Sequence, residues 1–286
     1  MSACRTATVL THRRAVDTAD ALGDLMASAR ERDVVLRFDE AETAKHGLRP
    51  GHGLVLDAPV SRDVDLCLVL GGDGSILTGL RHYAGTDVPV FAVNYGEVGF
   101  LATIDPDGLR PAFDRAFVGE FERLALPAVT VVRPGGEDLL AINDVSVHRR
   151  AGLRVADLAY KLGGEEIGRV RCDGLVVATP AGSTGYNLAN GGPVLAWGVA
   201  GFVVSFIAPH SLTARALVVA PDDTLTVQNV SREEPVDVHV DGRPACGLEA
   251  GEEIAVAFVR ACTVLAQLPG ATFYGRLRER FGRLAS

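Results

Sequence analysis

The sequence predicts an α/β N-terminal domain with a Rossmann-like parallel sheet, followed by an all-β, β-sandwich-like C-terminal domain. Up to about residue 120, short apolar runs alternate with helix-like stretches, the signature of βαβ units. From about residue 121 onward, β-rich segments separated by Gly, Pro and Asp dominate, as in antiparallel strands joined by tight turns. At 286 residues the chain is long enough for two domains, each able to bury a core.

The elements follow in order. "ATVL" reads as the first strand, residues 13 to 31 as a helix, "VVLRF" as a strand and "LCLVL" at 66 to 70 as a buried strand. A helix is expected from Ser75 to residue 84, which leaves Asp73 in the turn before it; "VPVFAV" is then a strand and residues 107 to 118 a helix. Further on, "AVTVVRPGGEDLLAINDVSVHR", "TLTVQNV", "VDVHVDGRP" and "EEIAVAFV" carry the strands, and "GRLRERFGRLAS" is a charged helix at the end. The expected division is 1–120 for the α/β domain, 121–268 for the all-β domain, and 269–286 for a tail packing back on the first domain.

Composition excludes several classes. A hydrophobic fraction of 48% with 22% charged residues is that of a soluble globular protein and not of a disordered one. A net charge of -8 argues against a nucleic-acid or anionic-membrane binder, since both need a positive field. Cys4, Cys67, Cys172, Cys246 and Cys262 are scattered without a C-x-x-C pair, the pattern of reduced thiols in a cytoplasmic protein. "ATVL" is broken at once by "THRR", so no signal peptide is read. "VLAWGVAGFVVSFIA", residues 194 to 208, is shorter than the ~20 apolar residues of a spanning helix and reads as buried core.

Three stretches carry chemistry. In Gly71, Gly72, Asp73, Gly74 and Ser75, glycines let a ligand approach the main chain, and the following helix start offers N–H donors to an anion. A phosphate alone would be repelled by Asp73, but a carboxylate beside a phosphate cradle can take the proton of an attacking hydroxyl. Taken alone, the tetrapeptide also suits an ordinary Asp-Gly turn. No G-x-x-x-x-G-K-S/T, no opening G-x-G-x-x-G and no G-x-S-x-G is present.

The second stretch is "DGLVVATPAGSTGYNLANGGP", residues 173 to 193. From Gly174 to Ala214, 41 residues carry no Asp, Glu, Lys or Arg, yet include Ser183, Thr184, Tyr186, Asn187 and Asn190. Neutral hydrogen-bonding groups among glycines suit a nucleotide's base and sugar, although a glycine-rich turn between core strands has the same composition. The third, "INDVSVHR" at 142 to 149, places Asn143 and Asp144 at a strand entrance, where only a bent backbone would bring both to one ligand. A plain Asn-Asp turn reads equally well there.

Together these stretches resemble the NAD kinase family over about residues 64 to 281. "GGDGSIL" is similar to that family's phosphate-transfer motif, "VNYGEVGFLA" at 93 to 102 to its N-x-G-x-x-G-F-L segment, and "INDVSVHR" to its Asn-acidic pair. "DGLVVATPAGSTGY" with the later "GGP", then "APHSLTARALVV" and "VDGRP", follow in the family's order. GGDG is shared with diacylglycerol kinases, sphingosine kinases and phosphofructokinases; the ordered set is specific.

The resemblance implies transfer of the γ-phosphoryl of ATP to the adenosine ribose 2′-hydroxyl of NAD, giving NADP. It implies Asp73 as general base, with Gly71, Gly72, Gly74 and Ser75 at the ATP phosphate. Asn143 and Asp144 would hold adenosine and ribose, and Asp173 would sit near the other ribose. The run Thr184, Gly185, Tyr186, Asn187, Leu188 and Ala189, with Ala181, Asp73 and Gly74, would line the NAD pocket, with Tyr186 as its aromatic wall and Phe100 packed nearby. Arg154, Arg171 and Arg243 fall at spacings of dinucleotide contacts. Mg²⁺, or another divalent metal, would arrive with ATP, since no dedicated carboxylate cluster is visible. The family implies homodimers or homotetramers, and no nucleic-acid or membrane partner is expected.

Four positions depart from the family pattern: Ala181 for Thr or Ser, Gly185 for Ala, Asp144 for Glu, and Ala216 for Pro. They motivate the alternative of a catalytically silent NAD(P)-binding sensor of the same fold, against which Asp73 stands. His148, His210 and Trp197 are expected to be structural.

Overall fold

The computed structural model describes residues 4–96, 99–102, 104, 108–133 and 136–282. Glu97 and Val98 of the 93 to 102 segment, Asp107 of the expected helix and the end of the tail from residue 283 lie outside the described residues. The chain forms two compact units, residues 1–125 with 263–286, and residues 126–262. The division falls within two long strands, β6 (Glu122–Val132) and β17 (Glu253–Gln267), whereas the sequence alone suggests changes at 121 and 269.

The first unit holds β1 (Thr6–Thr11), α1 (Ala19–Glu31), β2 (Val35–Arg37), α2 (Glu40–His46), β3 (Leu54–Val55), β4 (Leu66–Gly71), α3 (Asp73–His82), β5 (Pro89–Asn94) and α4 (Leu109–Val118). It ends with the last residues of β17 and with α6 (Phe273–Phe281). Its strands lie in the order β17-β5-β4-β1-β2-β3, each paired parallel to the next. Leu66, Leu68 and Leu70 of β4 pack in one core with α1 and α4, while Cys67 and Val69 face Gly79 of α3. Helices on both faces explain why β4 is apolar throughout.

This order reverses between β1 and β4, and ligands of open parallel sheets gather beyond the carboxyl ends of the strands at such a reversal. Gly72, which joins the end of β4 to the start of α3, lies there. The carboxyl end of β1 is pinned to α2: the buried Glu42 carboxylate accepts the Thr11 main-chain N–H at 3.0 Å and its hydroxyl at 2.7 Å.

The second unit is two sheets around one core. One contains β6, β7 (Leu139–Ala141), β9 (Ala156–Leu162), β10 (Glu165–Cys172), β14 (Leu225–Asn229) and the start of β17. The other is a six-stranded antiparallel sheet in the order β13 (Leu217–Val219), β12 (Phe202–Ile207), β11 (Gly174–Ala178), β8 (Asp144–Arg149), β15 (Val236–Val240), β16 (Arg243–Leu248). Val145 and Val147 of β8, Leu175 and Val177 of β11 and Val236 and Val238 of β15 meet Leu158, Val227 and Ile254 of the first sheet in one core. This is the period-2 alternation of a sandwich. A short helix, α5 (Tyr186–Ala189), follows a 3-10 turn at Gly182–Thr184. In the 194 to 208 segment Leu195, Trp197 and Phe202 are buried, and Val199 is exposed in the loop before β12. Among the described residues no helix is long and apolar enough to cross a membrane.

Candidate active site

The glycine turn in the first unit is built by close main-chain approach. A Cβ on Gly71 would lie 2.7 Å from the Ser75 side chain, and one on Gly96 would lie 2.9 Å from the Gly72 Cα. The loops after β4 and β5 therefore touch backbone to backbone, and Tyr95 N–H donates to the Gly71 carbonyl at 3.2 Å. Gly72 caps α3, so Asp73 is the first residue of the helix and not, as expected, a turn residue ahead of it. The helix can start here because the N–H groups of its first turn need no intrahelical partner.

The Asp73 carboxylate accepts the main-chain N–H of Phe100 at 3.1 Å and of Leu101 at 3.2 Å. Burial raises its pKa above the ordinary carboxylate value, and the two N–H bonds with the Arg280 and Arg276 charges pull the other way. Phe100, expected to pack near the dinucleotide, has its ring buried against Phe273 and Phe281, at 5.7 and 6.1 Å between centroids; its main chain is what reaches Asp73. Gly74 has open space where a Cβ would stand, and Ser75 N–H returns to the Gly72 carbonyl at 2.9 Å.

In the second unit, Asn143 and Asp144 occupy a bent corner between β7 and β8. Thr179 braces it: its hydroxyl donates to the Ile142 carbonyl at 2.6 Å and its N–H to the Asn143 carbonyl at 2.8 Å. Asp241 accepts the N–H groups of Ile142, Asn143 and Asp144. Asn143 Oδ1 is buried with no hydrogen-bond partner among the described residues, an acceptor held ready for a donor such as a sugar hydroxyl. Burial, and then the neighbouring Asp241 charge, push the Asp144 carboxyl up to about 7. Near neutrality it can donate as well as accept.

The loop after β11 is fastened from inside. The Ser183 hydroxyl donates to the Pro180 carbonyl at 2.8 Å and accepts Leu195 N–H at 2.9 Å. The buried Asn187 amide donates to the Ser183 and Pro193 carbonyls, both at 2.9 Å, so this side chain shapes the loop. Ala181 is buried, Thr184 reaches back to the Ala181 carbonyl at 3.4 Å, and Gly185 and Ala189 are exposed.

Tyr186 is exposed on one side, and on the other its ring stacks on His148 at 5.6 Å and 18°. His239 meets His148 edge-on at 5.1 Å, and Ser146 lies 2.8 Å from His148 Nε2. Asp144 and Asp173 are near enough for their charges to add to the upward effect of burial on the Tyr186 phenol. Asp173, between β10 and β11, is bound by the Arg149 guanidinium. Arg154 and Arg171 share a hollow of about 490 Å³ with Asp157, Arg232 and Glu234, and none of the loop residues lines it. Arg243 is exposed at the start of β16.

The structure thus gathers Asn143, Asp144, Asp173 and Tyr186 by contact or charge. Sequence reasoning missed Asp241, whose signal was the Asp-Gly dipeptide between alternating strands, and Arg276, which has no local signal. Asp241 and Gly242 have φ of 46° and 72°, as a two-residue hairpin turn requires.

Models of the ATP-NAD kinase N-terminal and C-terminal domains match residues 25–121 and 142–265. The NAD kinase of Lachnoclostridium phytofermentans is 35% identical over 234 residues, covering 78% of this chain and 82% of that one. The NAD kinase of Gemmatimonas aurantiaca is 33% identical over 281 residues, covering 96% and 94%. In fold the chain is similar to a yeast NADH kinase complexed with NADH, with a TM-score of 0.88 at 22% identity over 100% of this chain and 90% of that one. It is also similar to an NAD kinase from Archaeoglobus fulgidus in complex with ATP, with a TM-score of 0.74 at 24% identity over 96% and 98%.

Proposed function

The chain belongs to the ATP-NAD kinase family, and from that membership we propose that it phosphorylates the adenosine ribose 2′-hydroxyl of NAD from ATP, with Asp73 as general base. The environment of Asp73 carries this reading. Its carboxylate is half-buried, oriented by two main-chain N–H groups, and raised in proton affinity by burial. Such a carboxylate accepts a hydroxyl proton more readily than a fully solvated one, because its pKa lies closer to the working pH.

The other roles follow from position. Gly71, Gly72, Gly74 and Ser75 form the cradle in which main-chain N–H groups at the start of α3 receive the transferring phosphoryl group. Asn143 and Asp144 hold the adenosine and its ribose, Tyr186 stacks as the aromatic wall, and Asp173 serves the second ribose. Ala181, Thr184, Gly185, Leu188 and Ala189 line the pocket, and Asn187 supports it from beneath. Phe100 contributes through its main chain, and Arg154, Arg171 and Arg243 contact the outer part of the dinucleotide. Catalysis on this reading is mainly positioning.

Among the described residues no group of three or more His, Cys, Asp or Glu converges to hold a metal ion. Mg²⁺ or another divalent cation would arrive with ATP and neutralise its phosphates. Membership of the family also carries a homodimeric or homotetrameric assembly and a cytoplasmic location into the proposal.

The test is a coupled assay for NADP formation from NAD and Mg-ATP, run on the chain and on Asp73→Asn. The proposal expects NADP from the wild type and a fall of at least ~10²-fold in the variant. Full activity of the variant would reduce Asp73 to a positioning group. A wild type that binds NAD yet makes no NADP with any phosphoryl donor would be a sensor.

A further inference from the structure

The C-terminal helix makes a contact that none of these roles uses. Arg276 of α6 is 7% exposed, and its Nη1 donates to the carbonyl oxygens of Phe100 at 2.9 Å and Leu101 at 3.1 Å. The N–H groups of the same two residues are those that hold the Asp73 carboxylate. The peptide group joining Phe100 to Leu101 therefore has its oxygen on Arg276 and its N–H on Asp73. A cation at the oxygen polarises the amide and strengthens the N–H as a donor, so the two bonds reinforce each other.

The helix is fixed well enough to transmit this. The Thr272 hydroxyl caps it by accepting Gly275 N–H at 3.0 Å, and Phe273 and Phe281 grip the Phe100 ring. Docking alone would be served by such apolar contacts. A buried guanidinium is a poor choice for packing, because its charge must be taken out of water, and it is retained where its donors are used.

We infer that Arg276 is a positioning residue for phosphoryl transfer: it fixes the main chain of residues 100 and 101 so that their N–H groups orient the Asp73 carboxylate toward the acceptor hydroxyl. This rests on the reading of Asp73 as general base. Among the described residues, the charged side chains that act on Asp73 are Arg276 and Arg280, both on α6, and Glu279 acts on Arg276 in turn. Removing Arg276 leaves the carboxylate with weaker donors and one cation fewer. The ionised base becomes less favourable, and the acid limb of the rate profile moves to higher pH.

The experiment compares pH profiles of kcat for NADP formation in wild type, Arg276→Met, Arg276→Lys, Asp73→Asn and the Asp73→Asn/Arg276→Met double variant. Arg276→Met is expected to lower kcat by roughly 10- to 100-fold, with KM for NAD and ATP within ~3-fold, and to move the acid limb upward. Arg276→Lys, which keeps the charge with fewer fixed donors, falls between it and wild type. In the Asp73→Asn background the Met substitution is expected to change the rate by less than ~3-fold, because residues acting as a unit are not additive.

A folded Arg276→Met with the wild-type acid limb overturns the inference, as does full additivity in the double variant. If Arg276→Met does not fold by circular dichroism, Arg276→Lys decides: a displaced limb supports the role and a superimposed one overturns it. A wild type that makes no NADP sinks the kinase reading itself. An active wild type with unmoved Arg276 profiles sinks only the positioning role.

Discussion

Asp241 and Asn143 hold each other across a hairpin tip: the Asp241 carboxylate accepts Asn143 N–H at 2.7 Å, and Asp241 N–H returns to the adjacent Asp144 carbonyl at 2.8 Å. The corner that presents the Asn-Asp pair is thus shaped by a turn 98 residues away in sequence. Asp241→Ala would leave three main-chain N–H groups without their acceptor and would place alanine at a φ of 46°. Urea unfolding at pH 6 should show a loss of ~2–4 kcal/mol. At that pH Asp144 is largely protonated, so relief of charge repulsion offsets little. A variant as stable as wild type would show that the corner holds without Asp241.

The same charge pair gives a pH signature. The Asp144 carboxyl is raised from 3.8 to about 7 in the folded protein, so between these values the folded chain binds the extra proton. Stability from this group is therefore full below about pH 4 and lost as pH rises through about 7. Asp144→Asn removes the titration. Relative to wild type, its unfolding free energy should improve by on the order of 2–4 kcal/mol between pH 4 and pH 8, at 1.36 kcal/mol per pH unit. A difference between the two proteins that does not change with pH would mean that Asp144 ionises normally.

Glycine at 182 is a matter of contact with that corner. A Cβ there would lie 2.1 Å from the Asn143 carbonyl oxygen and 2.6 Å from its Cα, and main chain cannot swing aside as a side chain can. Gly182→Ala should raise the dissociation constant for NAD by ~10-fold or more and cost ~2 kcal/mol or more of stability, read by calorimetry and by urea unfolding. Gly185→Ala meets only the Gly182 carbonyl, at 3.4 Å, and should be much milder. Equal effects would point away from the corner as the cause.

What the sequence disclosed follows a physical divide. Apolar period and turn chemistry are local, so the parallel and antiparallel halves, the β4 strand and the glycine turn were legible. The short polar α2 and the two-residue β3 carry too little apolar period to be seen. Helix α3 starts two residues before the apolar pattern indicates, because Asp73 and Gly74 add nothing to that pattern although they suit a first turn. Arg276 and Phe100 are separated by 176 residues, and neither side chain's local surroundings announce the other. The sequence places Phe100 near the pocket, but its ring is buried against α6 and only its main chain reaches Asp73.

His148 is tested next, because its ring backs Tyr186, the residue proposed as the aromatic wall. Its ring backs Tyr186 at 5.6 Å, and burial and then His239 hold its pKa below the ordinary histidine value, so at neutral pH it is an uncharged stacking partner. His148→Ala would free the Tyr186 ring to turn, and a stacking surface that turns binds a base less well while leaving Asp73 untouched. KM for NAD should rise ~3- to 10-fold with kcat within ~2-fold, in line with ~0.5–1.5 kcal/mol for an aromatic pair. Tyr186→Ala should cost more, and adding His148→Ala to it should cost almost nothing further, because the support has lost what it supported. Full additivity of the two in steady-state kinetics would separate His148 from Tyr186 and require another account of the stack.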